Sequence, residues 1–339
     1  MSTVVATLPK VDLYRSLAGS FEPSFLAELS GRPEDDIEAE LAFTDVKGMN
    51  RALGTAAAML SSPDVLERAA RRLCRKLVDD NVVHAEIHID PRATGVEVVE
   101  AFSAVERGLE EAIEDMPGAF LSWSLVLEGR REGDAKTFAE DFAALLQAHD
   151  PKPAAIALVG DESQPLTPFA ATLSLAAEHD IGRIIQAGLA SGTKAIAEAL
   201  ELGANRVLYG YGALRNDQAL LHLRAHRLPI VVTPSLEMAC GTLPSIGRHP
   251  VTKMQDAGLF MTLATGAPAL TGSDMTGELE RMSKHLSWRL DAMRNVTGRS
   301  IEAAFIEPAG RFTIARAIEN WRHRPMLTAD NNDDGGYSM

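Results

Sequence analysis

Eight short apolar runs, each bounded by turn-forming residues, alternate with longer stretches of helical spacing. No other feature limits the fold of this chain so strongly. The runs are KVDLY (10–14), VVHAEIHI (82–89), FLSWSLVL (120–127) and AAIALVG (154–160), then RIIQAG (183–188), NRVLYG (205–210), PIVVTP (229–234) and LFMTLAT (259–265). Between them lie helical patterns such as TKAIAEALEL (193–202) and DQALLHLRAH (217–226). Strands separated by helices predict an α/β fold, a closed parallel (β/α)8 TIM barrel in one domain over residues 1–325. The long gap after the first strand predicts a helical cap over about 20–80, and the polar stretch 326–339 a disordered tail. Hydrophobic residues make up 46% of the chain, ample for a barrel-sized core.

Charge and composition narrow the function classes. Acidic residues outnumber basic ones 47 to 33, a formal charge of −14 that repels phosphate backbones and argues against nucleic-acid binding. The one basic run, ERAARRLCRK (67–76), reads as a solvated helix face. No stretch of apolar residues is long enough to suggest a membrane span, and the N-terminus lacks the pattern of a signal peptide. Cys74 and Cys240 stand too far apart in sequence to suggest a disulfide framework. The expectation is a cytoplasmic protein that meets a small molecule, with homo-oligomerisation left open.

In such barrels the chemistry sits at the carboxyl ends of the strands. Those ends are Tyr14 to Ser16, His88 to Asp90, Glu128 to Arg130, Gly160 to Glu162, Gln186, Tyr209 to Tyr211, Thr233-Pro234 and Thr265-Gly266. Three of the four tyrosines fall there, and the fourth, Tyr337, is in the tail.

Laid end to end, these segments resemble the adenosine deaminase family of metal-dependent amidohydrolases. LPKVDLYRSLAGS (8–20) is similar to that family's LPKxELHxHLxGS, and VVHAEIHIDPR (82–92) to its second strand. LVGDE (158–162) matches the purine-site GDE turn, and QAGLASG (186–192) stands where the family has HAGE. NRVLYG (205–210) stands at xRIGHG, VTPSLE (232–237) at CPxSN, LATGAP (263–268) at xTDDP, and RHP (248–250) retains the family's HP. The resemblance spans about 8–320 in order, and it implies the barrel fold.

The resemblance also implies where a zinc ion and the proton carriers would sit, and there the chain departs. The four ligand positions hold Tyr14, Ser16, Gln186 and Gly266. Leu189 replaces the Glu that protonates the purine, Tyr209 the catalytic His, and Ala267 and Ala18 the acids that hold the purine and ribose. Tyr, Ser, an amide and Gly are not a zinc-binding set. Without the metal, forming hydroxide from bulk water at pH 7 costs about 12 kcal/mol, most of which zinc removes. Ordinary adenosine deamination, a metal and a cofactor are therefore not expected.

Three readings follow. The first is a metal-independent enzyme doing non-hydrolytic acid/base chemistry (isomerisation, elimination, cyclisation or addition) on a nucleoside-like or other small polar molecule. Tyr14 and Tyr209 would carry protons, either phenol acting as an acid, or as a base if its surroundings lower its pKa, and Gln186 would orient the substrate. His88 and Asp90 would form a supporting acid/base pair, because His84, Glu86, His88 and Asp90 alternate along one strand face. Ser16, Gly160, Asp161, Glu162, Tyr211 and Glu237 would bind the ligand. The second reading is a silent pseudoenzyme whose phenols fill the volume vacated by the metal. The third is a hydrolase with a rebuilt metal site.

Overall fold

The computed structural model describes residues 2–189 and 192–322. Its eight strands are β1 (Lys10–Ser16), β2 (Val82–Ile89), β3 (Ser122–Arg130), β4 (Ala155–Val159), β5 (Gly182–Ala187), β6 (Arg206–Tyr209), β7 (Ile230–Val232) and β8 (Met261–Leu263). They pair in parallel and in chain order, with helices between, as an α/β (β/α)8 TIM barrel. β1 and β8 meet through one bridge, Arg15 to Gly266. There Ser16 N donates to Gly266 O and Gly266 N to Tyr14 O, both at 2.8 Å. Asp12 strengthens the seam, its carboxyl accepting from Thr265 N at 3.2 Å and the Thr265 hydroxyl at 2.5 Å.

Alternation along each strand sorts the apolar side chains into two bodies. Val11, Leu13, Val126, Ala155, Ala157, Val159, Ile184, Leu208 and Val231 fill the barrel. Ala85, Ile87, Leu125, Leu127, Ile156, Leu158, Ile185, Val207 and Val232 face the helices. A buried ion pair crosses the interior, Arg206 of β6 to Glu86 of β2, with no exposure of either side chain. The segment after the helix Leu290–Ala303 plugs that end of the barrel. Ala303 O accepts from Arg206 at 2.6 Å, Phe305 N donates to Glu86 at 2.8 Å, and the guanidinium lies 4.1 Å over the Phe305 ring.

Between β1 and β2 the chain forms the helices Pro23–Ser30, Glu34–Leu41, Val46–Ala58 and Pro63–Asp79. The last is capped by Ser62, whose hydroxyl accepts from Val65 N at 3.3 Å. Its apolar stripe, Leu66, Ala69, Ala70, Leu73 and Leu77, is buried. Its basic face is laced to acids, Arg68 to Glu28, Arg71 to Glu67 and Arg72 to Glu22.

Three strands differ most from the sequence pattern. β3 starts and ends later than 120–127, because pairing begins at Ser122 opposite His84 and leaves Phe120 outside, 41% exposed. β7 and β8 are cut to three residues each, since the chain turns at once into short helices at Pro234 and Pro268. No helix among the described residues is long and apolar enough to cross a membrane. The expected tail, 326–339 with Tyr337, lies outside the described residues, as do Ala190 and Ser191.

Glu86→Ala strands the Arg206 guanidinium without its partner. The expected loss is about 3–5 kcal/mol of unfolding free energy by urea titration. A loss below about 1 kcal/mol would mean that the pair behaves like a surface pair.

Candidate functional site

The strand ends bring the expected residues together in three groups rather than one. The first borders a cavity of about 80 Å³ lined by Ser16, His88, Asp90, Glu128 and Arg130. Asn50, Leu53, Gly54 and Ala57, from the helix Val46–Ala58, wall its other side. His88 is buried, and its Nδ1 lies 3.2 Å from Glu128 Oε2, so an ionised Glu128 holds the proton on Nδ1. Its Nε2 is buried with no hydrogen-bond partner. The Tyr14 ring meets the imidazole edge-on, centroids 4.7 Å apart.

The expected His88–Asp90 pair is not what forms. Pro91 turns the chain into the short helix Pro91–Thr94, and the Asp90 carboxylate caps it by accepting from Ala93 N at 3.1 Å. Glu128, at the end of β3, is the buried partner of His88 instead. Burial, and then the charge of Glu128, raises the Asp90 carboxyl to about 6. Of the polar ladder on β2, His84 pairs with Ser122 at 2.7 Å and Glu86 with Arg206. Burial lowers the His84 imidazole to about 4, leaving it neutral.

The second group joins β4 to β5. Gln186 is buried and its amide closes on one residue: Nε2 donates to Gly160 O at 3.0 Å and Oε1 accepts from Gly160 N at 3.3 Å. Gly160 has φ +102, a conformation that suits glycine. Glu162 is also buried. It accepts from Gly188 N at 3.1 Å and Leu189 N at 2.9 Å, so its carboxylate holds the turn after β5. Asp161 is exposed and accepts from Ser163 N at 2.9 Å. Arg131 is buried and donates to the backbone carbonyl of Gln186.

The third group lies beyond β6 and β7. The Tyr211 hydroxyl donates to Glu237 Oε2, and His249 Nε2 lies 3.1 Å from the same oxygen. His249 Nδ1 accepts from Val251 N at 3.0 Å, which places the proton of the neutral ring on Nε2, pointing at Glu237. Glu237 Oε1 accepts from Thr233 N at 2.6 Å. Glu237, expected to bind the ligand, instead centres a buried network. His249 was visible only as the middle of RHP.

Tyr14 and Tyr209 pack in the apolar body that fills the barrel, with Leu189 and Tyr211 against it. Tyr209 is 1% exposed and sits at φ +76, a backbone region that bulky residues rarely adopt. Burial first, and then the charge of Glu128 beside Tyr14 and of Glu237 beside Tyr209, raises both phenols well above their ordinary value. Tyr211 is raised likewise by burial and Glu237. The lowered phenol pKa on which a base role depended is overturned: a buried phenolate beside a carboxylate is disfavoured twice over.

The positions at which the resemblance implies zinc donors do not fit the ion. Tyr14 is a buried neutral phenol, Ser16 accepts from Gly19 N at 3.2 Å, and the Gln186 amide is closed on Gly160. Gly266 offers no side chain, and a Cβ there would come within 2.7 Å of Leu236 Cδ2. Among the described residues no three His, Cys, Asp or Glu side chains are grouped so as to hold a metal. The titratable groups that border the small cavity are His88, Glu128 and Asp90.

The family model described as adenosine deaminase matches residues 9–321. The chain is 24% identical to the aminodeoxyfutalosine deaminase of Streptomyces avermitilis, covering 95% of this chain and 93% of that protein. It is 27% identical to the adenine deaminase of Rhodospirillum rubrum, covering 89% and 93%. The crystal structure of adenine deaminase from Arthrobacter aurescens superposes with a TM-score of 0.85 at 23% identity, covering 93% of this chain and 99% of that one, a likeness of fold.

Asp90 binds its proton more tightly folded than unfolded. Its contribution to stability is full below about pH 4 and is lost as pH rises through about 6. Carboxyl NMR should give a midpoint near 6 for Asp90, and Asp90→Asn should flatten that part of the stability profile. A midpoint near the ordinary 3.8 would contradict the burial described here.

Proposed function

The chain belongs to the adenosine deaminase family, and from that premise we propose that it is a member without hydrolytic deamination, binding a small polar molecule at the barrel mouth. The Gln186 amide carries the reading. It stands at a ligand position, and both its polar atoms are tied to Gly160, so it stitches β4 to β5 and offers no donor to a metal. The phenols at Tyr14 and Tyr209 stay protonated and fill the barrel, which suits a silent mouth better than a proton relay.

The binding site under this reading is the cavity at His88, Asp90 and Glu128. Its volume of about 80 Å³ is well below the roughly 300–1,000 Å³ of pockets that enclose a whole small ligand. A purine would enter only with an outward movement of the helix Val46–Ala58, which supplies four of the wall residues. The names of the relatives make adenine and aminodeoxyfutalosine the first molecules to try.

One observation favours a second reading with turnover and no metal. His88 Nε2 is buried and unpartnered at the cavity where the Asp90 carboxyl titrates near 6, two groups suited to moving a proton at neutral pH. That chemistry would be an isomerisation, elimination, cyclisation or addition, with Ser16 and Arg130 holding the substrate.

Protein incubated with adenine, adenosine and aminodeoxyfutalosine, with and without added zinc, is expected to release ammonia only at the background rate. Calorimetry with the same compounds is expected to show binding that His88→Ala weakens. Zinc-dependent ammonia release would refute the proposal. Consumption of a ligand without ammonia, abolished by Asp90→Asn, would decide for the second reading.

A further inference from the structure

A separate cavity of about 420 Å³ opens on another side of the mouth, where the segments after β6 and β7 face each other. Arg215, Arg248 and Lys253 line it, with Tyr211 and Thr242. All three cations are exposed, and among the described residues none of them forms an ion pair with a carboxylate. Three cations grouped around one cavity run against the balance of a chain with 47 acidic residues and 33 basic ones. Elsewhere on the surface Arg32, Arg68, Arg72, Arg107 and Arg227 each meet a glutamate.

The acids behind the cavity do not answer the charge. Glu162 is buried and accepts from Gly188 N and Leu189 N, while Glu237 is buried and accepts from Thr233, Tyr211 and His249. Thr242 donates its hydroxyl to Glu237 O at 2.7 Å. The charged side chains that line the cavity itself are all cationic. Three cations around one concave cavity repel one another and raise the local concentration of anions. Guanidinium groups match the oxygens of a phosphate in pairs, and lysine adds a compact point charge. The volume lies within the range of small-ligand pockets, larger than a bare phosphate requires.

We propose that this cavity binds a phosphorylated small molecule, with the phosphate held by Arg215, Arg248 and Lys253 and a sugar-sized body filling the remaining space. The site stands apart from the His88 cavity and does not rest on the reading of that cavity.

The test is calorimetry on the full chain at low salt with ribose 5-phosphate, inorganic phosphate and ribose as probes. Ribose 5-phosphate is expected to bind roughly tenfold or more tighter than inorganic phosphate, ribose not at all, and Arg248→Ala to weaken binding roughly tenfold. The triple variant R215A/R248A/K253A is expected to abolish binding while keeping the wild-type melting curve, because all three side chains are exposed. Failure of ribose 5-phosphate to bind at millimolar concentration would overturn the proposal, as would equal affinity for inorganic phosphate. Unchanged binding by the folded triple variant would overturn it too.

Discussion

The Gln186 side chain reaches from β5 to β4 and exchanges hydrogen bonds with both backbone groups of Gly160. A buried amide has to satisfy its donor and its acceptor, and a single glycine does both jobs here. The same stitch fixes the turn from which Glu162 reaches to the backbone after β5, and the Gln186 carbonyl receives the buried Arg131. A histidine or carboxylate at this position could turn toward a metal. A glutamine locked in this way cannot do so without leaving two backbone groups unsatisfied, at about 1–3 kcal/mol each.

The rest of the mouth follows the same logic. Gly266 closes the seam with β1 through its backbone, and Leu236 occupies the space a side chain would need. The interior that in other barrels is a packed core holds a charged pair, Glu86 and Arg206, plugged by Phe305. Above it, two phenols complete the filling. Burial removes phenolate and imidazolium from this space alike, since each charged form would lose its hydration. On the β1–β3 side His88, Glu128 and Asp90 border a small cavity, and beyond β6 and β7 Tyr211, Glu237 and His249 form a separate buried network.

Much of the barrel was legible in the sequence, because strand runs and helical spacing are local patterns. All eight runs contain or overlap a strand, and the two helices named from spacing, near 193–202 and 217–226, appear as Thr193–Glu201 and Asp217–Ala225. The strand-end positions were legible in the sequence, but the partners of the side chains there were not. Tyr14, Tyr209 and Gln186 lie at the strand ends where they were sought, yet their roles depend on neighbours brought from distant segments. Glu128 reaches His88 from 40 residues away, and Glu237 meets Tyr211 from 26. Asp90 missed its expected partner for a local reason, the proline that follows it. His249 was less legible because its side-chain partners, Tyr211 and Glu237, come from two other segments.

The central claim is that the ancestral ligand positions no longer offer a divalent ion a place to bind. Its most direct test is the zinc content of protein purified without chelator, with affinity measured by competition against a chromophoric chelator. The account predicts far less than one zinc per chain, with no site that outcompetes the chelator. One tightly held zinc per chain, lost in Gln186→Ala, would contradict it.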